Sequence, residues 1–306
     1  MKRMRHLAGR VGASLVAAAM AVGSGCSDRQ QSPTSQPASR TVATPAAAAA
    51  PAAPAADAPA YVAPPRPRVP TTQALSEAKA KWIGLATPEQ AKALDQQIAA
   101  LAPLPAAAVK LGNKAPDFDA LATDGNEVTL AGLLKSGPVV LVWFRGGWCQ
   151  FCSIQLAGMQ EILPQIEQAG ATLAAISPQT VEYNRKTADN LGLEYELLSD
   201  AGNLAARKWG LIYALSDDMM ETLRGRVDLG KCNGDKSGEL PMTAVYVIDT
   251  DGVVKYAAVD PDFRNRPDPQ AVLAALKDPT KVKPVDRTVR TDEQPAQKNR
   301  RKTRRR

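Results

Sequence analysis

The sequence predicts an α/β domain in which helices flank a mixed central sheet. Three observations carry this. Val139 to Trp143 is a continuous apolar run, as in a strand buried on both faces. It passes through Gly146-Gly147 into Cys149 and Cys152, after which Ile154, Leu156, Met159, Ile162, Leu163 and Ile166 recur at helical spacing up to Gly170. Ala171 to Ile176 then completes a strand–helix–strand unit, and Thr243 to Tyr256 has the pattern of an antiparallel hairpin about Asp251-Gly252.

In chain order, Lys2, Arg3, Arg5 and Arg10 precede an apolar segment from Val11 to Val22 that is too short to span a bilayer and suits a secretory signal. It ends Val22-Gly23-Ser24-Gly25-Cys26, which resembles a bacterial lipoprotein signal, although Gly23 stands where a larger apolar residue is usual. Residues 1–25 are therefore expected to be a signal peptide of lipoprotein type, with Cys26 lipidated and the protein exported to the periplasm or envelope on a membrane anchor. Residues 26–70 turn to Ala, Pro, Ser, Gln and Thr, a composition that buries no core and makes a semi-extended linker. Thr71 to Leu85 and the stretch after the capping box Thr87-Pro88-Glu89-Gln90 form a helical lead-in over 71–105, packed on the domain or standing as a stalk.

The main domain is expected over 106–280. A short hairpin turns at Asp124-Gly125-Asn126 and leads into the central strand. Beyond Ile176, Ser177-Pro178 caps a helix to Leu191, Tyr195 to Leu198 is a strand, and a helix runs from Asp200 to Trp209. Asp217 to about Gly230 is helical, a Gly-, Lys- and Asp-rich loop holds Cys232, and Asp268-Pro269 caps a last helix. Residues 281–306 form a basic tail ending in Arg304-Arg305-Arg306. It is read as solvated, with an anionic lipid or wall polymer as its alternative partner and nucleic acid excluded. The chain carries +7 overall, yet residues 71–280 hold 19 Lys and Arg against 26 Asp and Glu, so the basicity is peripheral.

Cys149 and Cys152 lie at the start of a helix, where unpaired N–H groups and the dipole favour a thiolate. Their i, i+3 spacing puts them on one face, within reach of a disulfide. The pair offers a nucleophile and a second thiol to resolve what the first one forms.

Residues ~112–277 resemble the peroxiredoxin-like branch (alkyl hydroperoxide reductase and thiol-specific antioxidant, AhpC/TSA) of the thioredoxin-fold superfamily. The matching pieces are Gly112 to Phe118, Phe144-Arg145-Gly146-Gly147-Trp148-Cys149-Gln150-Phe151-Cys152, Ala175-Ile176-Ser177, Leu198-Ser199-Asp200, and Val247-Ile248-Asp249 with Asp251-Gly252. The resemblance implies a thioredoxin-like fold, a hydroperoxide substrate and an external reductant, either a thioredoxin-like protein or a small thiol. In the peroxiredoxin pattern the attacking cysteine corresponds to Cys152, with Arg145 and Cys149 where Pro and Thr are usual. In the thioredoxin pattern it corresponds to Cys149, which the exposed helix tip also favours. Thr243 stands where thioredoxins have a cis-proline, and its hydroxyl is a candidate partner for a thiolate or peroxide oxygen.

The expected chemistry is attack of Cys149 on the O–O bond to give a sulfenic acid, which Cys152 resolves as a disulfide. Arg145 and Trp148 are supporting candidates, the one as a charge at the sulfur and the other as a lid. Cys232 is a candidate second resolving thiol. No cofactor or metal is expected: the one histidine is His6, inside the signal segment, and Gly146-Gly147 is followed by no phosphate-loop Lys. The leading function is a thiol-dependent peroxidase with an antioxidant role in the envelope. A thiol–disulfide oxidoreductase and a non-catalytic tethered binding module are the alternatives.

Overall fold

The computed structural model describes residues 70–278; the expected signal peptide, Cys26, the linker up to residue 69 and the basic tail lie outside them. Two helices open the described chain, α1 (Thr71–Leu85) and α2 (Pro88–Leu101). The capping box between them forms as the sequence requires: Thr87 Oγ1 accepts the Gln90 N–H at 3.2 Å, and the Gln90 side chain accepts the Thr87 N–H at 3.1 Å. The hairpin β1 (Asp119–Leu121) and β2 (Glu127–Thr129) follows, then α3 (Leu130–Leu134) with Thr129 as its cap. The central unit is β3 (Val139–Trp143), α4 (Gln150–Glu161), α5 (Leu163–Gln168), β4 (Thr172–Ser177), α6 (Val181–Leu191) and β5 (Glu196–Ser199). Beyond it come α7 (Leu204–Lys208), β6 (Ile212–Ala214), α8 (Asp217–Leu223), α9 (Leu229–Asn233), β7 (Glu239–Pro241), the hairpin β8 (Thr243–Ile248) and β9 (Val254–Asp260), and α10 (Pro269–Lys277).

Seven strands form one sheet in the order β2-β1-β5-β4-β3-β8-β9. β3, β4 and β5 run parallel, and β8 lies antiparallel on the other side of β3. β6 and β7 pair separately. This is the mixed α/β sheet of a thioredoxin-like fold. Every residue of β3 is buried, and its period of two divides the core. Val140 and Val142 pack with side chains of α1, α4, α5 and α10, whereas Val139, Leu141 and Trp143 pack with α2, Trp209 and Tyr246. The second layer is cemented by aromatic contacts, Trp143 to Trp209 at 5.7 Å and Trp209 to Tyr246 at 4.8 Å between ring centroids.

The lead-in helices lie on the domain. α1 puts Ala74, Leu75 and Ala78 into one core and α2 puts Ala93, Leu94 and Leu101 into the other. Thr71 rests directly on Gly158 of α4, where an added Cβ would come to 2.0 Å from Thr71 Oγ1.

Four local expectations need correction. The helix after the cysteines is two helices, broken at Ile162 (φ −101°, ψ 2°), because Pro164 has no N–H to donate and its ring clashes with a helical carbonyl. Its first part is also buried all round, Phe151 to Met159 without interruption, so it is a core helix and not an amphipathic one. The next helix is capped by Thr180 and not by Ser177-Pro178; Ser177 instead donates to Asn184 Oδ1 at 3.0 Å, inside the protein. The segment after Asp200 begins as a 3-10 turn with Gly202 and Asn203 in left-handed geometry before α7 starts. Residues 217–230 are not one helix: α8 stops at Leu223, Gly225 takes φ +78°, and Cys232 lies in the short helix α9 instead of a loop.

Candidate active site

The cysteine turn hangs from the end of β3. Phe144 N–H bonds Ile176 C=O at 3.1 Å, which holds the strand end against β4 until Arg145 turns away. Gly146 then adopts φ +152°, and a Cβ there would meet Trp148 Nε1 at 2.2 Å and Gln179 Oε1 at 2.7 Å, so only glycine fits. Gln179 Oε1 accepts the Gly147 N–H, and Ser153 Oγ donates to the Gly147 carbonyl at 2.8 Å. Both polar groups of Gly147 are thereby satisfied and the turn is fixed at each end. Cys149 follows as the N-cap of α4 and Cys152 sits in its first turn.

The two sulfurs have unlike surroundings. Cys149 is 5% exposed and Cys152 is wholly buried. Arg266 Nη2 approaches Cys152 Sγ to 3.3 Å while its Nη1 donates to Gln155 Oε1 at 3.0 Å. Arg145 Nη1 lies 3.9 Å from Cys149 Sγ, with its guanidinium between the rings of Phe263 (4.1 Å) and Trp148 (5.0 Å). Burial alone would raise the Cys152 thiol. The hydrogen bond from Cys149, the charges of Arg266 and Arg145, and the Arg145 backbone N–H outweigh it and bring Cys152 down to about 5. Cys149 is pushed well above the ordinary thiol range, first by its hydrogen bond to Cys152 and then by burial. Burial opposes the Arg145 charge too, yet Tyr213 and the two cysteines more than restore it. The two guanidiniums thus favour a negative charge on the pair, and the nearer one, Arg266, lies against Cys152.

The remaining candidates divide. Trp148 is half-buried and packs against both cores. Thr243 begins β8, is 4% exposed, and shares a small cleft of about 10 Å³ with Gln155, Arg266 and Pro267. No cis peptide occurs among the described residues. Among those residues, Thr243 Oγ1, Arg145 Nε, Trp148 Nε1 and Arg266 Nε are buried without a hydrogen-bond partner. Cys232 is buried in α9. Its carbonyl accepts from Thr180 N–H, and its thiol is pushed up to about 12, by burial and then by Asp228. Arg266, Gln155 and Gln179 escape the sequence reading. Arg266 is 114 positions from Cys152 in a loop before α10, where no local pattern distinguishes it from the neighbouring Arg264.

A buried cysteine pair at a helix start, on a sheet of this topology and flanked by two guanidiniums, defines a thiol redox protein. Residues 111–257 match the model of the AhpC/TSA family. The chain is 26% identical over 197 residues to "Peroxiredoxin Q, chloroplastic" of Oryza sativa subsp. japonica, covering 63% of this chain and 80% of that protein. It is 28% identical over 180 residues to the protein of the same name in Triticum aestivum, covering 58% and 73%. Peroxidoxin BcpB from Mycobacterium tuberculosis, a solved structure, aligns with a TM-score of 0.44 at 23% identity over 55% of this chain and 97% of that one. Residues 111–257 of the chain are thus similar to the AhpC/TSA family, to which its cysteine turn and its sheet correspond.

Proposed function

We propose that the chain is a thiol-dependent peroxidase whose reaction runs through Cys152 and Cys149, with Cys152 as the attacking sulfur. The observation that carries this is the set of donors on Cys152 Sγ: Arg266 at 3.3 Å, the Arg145 backbone N–H and the Cys149 thiol. Attack requires the thiolate, and the thiolate is stabilised there. The Cys152 thiolate displaces alkoxide or hydroxide from the O–O bond; that oxygen takes a proton and leaves as alcohol or water, and Cys152 becomes a sulfenic acid. Cys149 then attacks the Cys152 sulfur, water leaves, and a Cys149–Cys152 disulfide forms, to be reduced by an external thiol. The unpartnered Arg145 Nε, Arg266 Nε and Thr243 Oγ1 are the groups available to the leaving oxygen. Because Cys152 is fully covered, the Trp148–Cys149 turn has to yield to peroxide, and small hydroperoxides are expected to react fastest.

The test is reduced protein mixed with stoichiometric hydrogen peroxide in stopped flow, followed by Trp148 fluorescence and mass. Cys152→Ser is expected to abolish fast oxidation, and Cys149→Ser to divert it to sulfinic acid on Cys152. The reverse pattern overturns the assignment and returns attack to Cys149, as its place at the helix tip suggests.

The place of action proposed is the cell envelope. Support comes from the residue pattern of 1–26, read as a signal with a lipid-bearing Cys26, and from the Ala/Pro-rich tether that would hold the domain off the membrane. Among the described residues no helix is long and apolar enough to cross a membrane. Metabolic labelling with a fatty acid, lost in Cys26→Ala, tests the anchor.

A further inference from the structure

The loop between β9 and α10 serves the cysteine pair with two side chains. The Phe263 ring lies 4.1 Å from the Arg145 guanidinium and packs edge-on against Phe151 at 5.7 Å. Arg266 reaches Cys152 Sγ at 3.3 Å and Gln155 Oε1 at 3.0 Å. The two residues between them engage α1 instead. The Arg264 guanidinium stands 5.2 Å from the centre of the Trp82 ring, and Asn265 Oδ1 accepts from Lys79 Nζ at 3.2 Å. The loop therefore hands two groups to the site and is held by α1 through the other two.

What α1 supplies is position. Asp262 chelates Arg264 through Oδ1 at 2.9 Å and Oδ2 at 2.8 Å and takes its N–H at 3.0 Å. Asp260 Oδ1 accepts the Asp262 N–H at 2.9 Å, and the Asn265 N–H bonds the Asp262 carbonyl at 2.9 Å. These bonds shape the loop, but they run within residues 260–265 and do not set where it sits. Charge does not set it either. Asp260 lines the small cleft that Arg266, Gln155 and Thr243 share, so the Arg266 guanidinium has a carboxylate beside it as well as the thiols. The seat of the loop decides between them. α1 is anchored to provide that seat: Leu75, Ala78 and Trp82 recur at intervals of three and four residues on one face. Leu75 and Ala78 enter the core that holds Cys152, and Thr71 rests on Gly158 of the helix that carries Cys152.

We propose that α1 is a clamp on the active site, in which Trp82 and Lys79 are positioning residues that seat the Asp262–Arg266 loop with Arg266 on Cys152 and Phe263 on Arg145. α1 is then a working part of the site and not a stalk above it. Trp82 acts through Arg264, Lys79 acts through Asn265, and neither touches a sulfur or a substrate. The proposal rests on the reading of the cysteine pair as the reactive group, with Arg266 stabilising Cys152.

The experiment uses the full reduced chain and two readouts that involve no peroxide: hydrogen exchange at the Asn265 amide, which reports the loop, and thiolate absorbance against pH, which reports the pair. Trp82→Leu keeps an apolar side chain and removes the ring face. It is expected to speed exchange at Asn265 by about tenfold and to lower the acid dissociation constant of the pair by at least about fourfold. Trp82→Phe, which keeps a ring under Arg264, is expected within about twofold of wild type on both. In an Arg266→Met background the effect of Trp82→Leu on the pair should shrink below about twofold, while its effect on the urea midpoint persists. Lys79→Met, a change on the helix surface, should act in the same direction by about twofold, and Lys79→Arg should restore wild-type values. A dissociation constant unmoved in both Trp82→Leu and Lys79→Met, exchange unmoved at Asn265, or an effect equally large in the Arg266→Met background overturns the clamp. Should the clamp results hold while peroxide fails to oxidise Cys152, the peroxidase assignment alone would fall.

Discussion

Replacing Arg266 by Met removes the nearest charge from Cys152 and leaves the side chain's volume nearly intact. At 3.3 Å a full charge pair at an effective dielectric of about 20 interacts by roughly 5 kcal/mol, an upper bound. The net worth of a hydrogen bond to a charged group is about 1.5–3 kcal/mol. At about 1.4 kcal/mol per pKa unit, Cys152 should rise by about 1–2 units in the variant, from about 5 to about 6–7. The assay is thiolate absorbance at about 240 nm across pH 4–9, in a Cys232→Ser background. The sign is that of an acid depressed in the native state: the thiolate is present above the midpoint and lost as pH falls through it. At pH 5.5 the ionised fraction should fall from about three-quarters to between about one-quarter and about one-thirtieth. Absolute alkylation rates at high pH are a poorer readout, because a less stabilised thiolate is intrinsically more nucleophilic. A midpoint unmoved in Arg266→Met, or one that disappears in Cys149→Ser but persists in Cys152→Ser, would refute the placement of the charge on Cys152.

Cys232→Ser should leave peroxide-driven formation of the Cys149–Cys152 disulfide within about twofold of wild type, since a thiol held near 12 is protonated at neutral pH; non-reducing mass analysis checks it. Gln179→Ala leaves the buried Gly147 N–H without an acceptor and should cost about 1–3 kcal/mol. Hydrogen exchange at Gly147 should accelerate with it, and protection equal to wild type would mean that the turn does not depend on Gln179. Gly158→Ala drives a methyl into Thr71 and is expected to lower stability by about 1–3 kcal/mol in urea unfolding, with the peroxide rate retained.

What could be read before the structure follows from where each signal resides. β3 and its glycine turn carry local information: an apolar run, two glycines of which Gly146 admits no side chain, and two cysteines at one helical interval. Hairpins and capping boxes are local as well, and Thr87 with Gln90 behaves as its spacing requires. The helix interruptions at Pro164 and Gly225 are hidden from apolar periodicity, because periodicity records burial and not backbone continuity. The decisive charge was illegible for a different reason. Arg264 and Arg266 are two residues apart in one loop, yet Arg264 binds Asp262 near the surface and Arg266 reaches the sulfur. Only the packing of that loop on α4 separates them, through Gln155 on one guanidinium nitrogen and Cys152 on the other. Position at the helix tip favoured Cys149 as nucleophile because the helix dipole acts on both cysteines and exposure breaks the tie. A long-range guanidinium breaks it the other way. On the assignment proposed above it separates the roles: Cys149 is the less covered sulfur and Cys152 the one that a guanidinium faces at 3.3 Å.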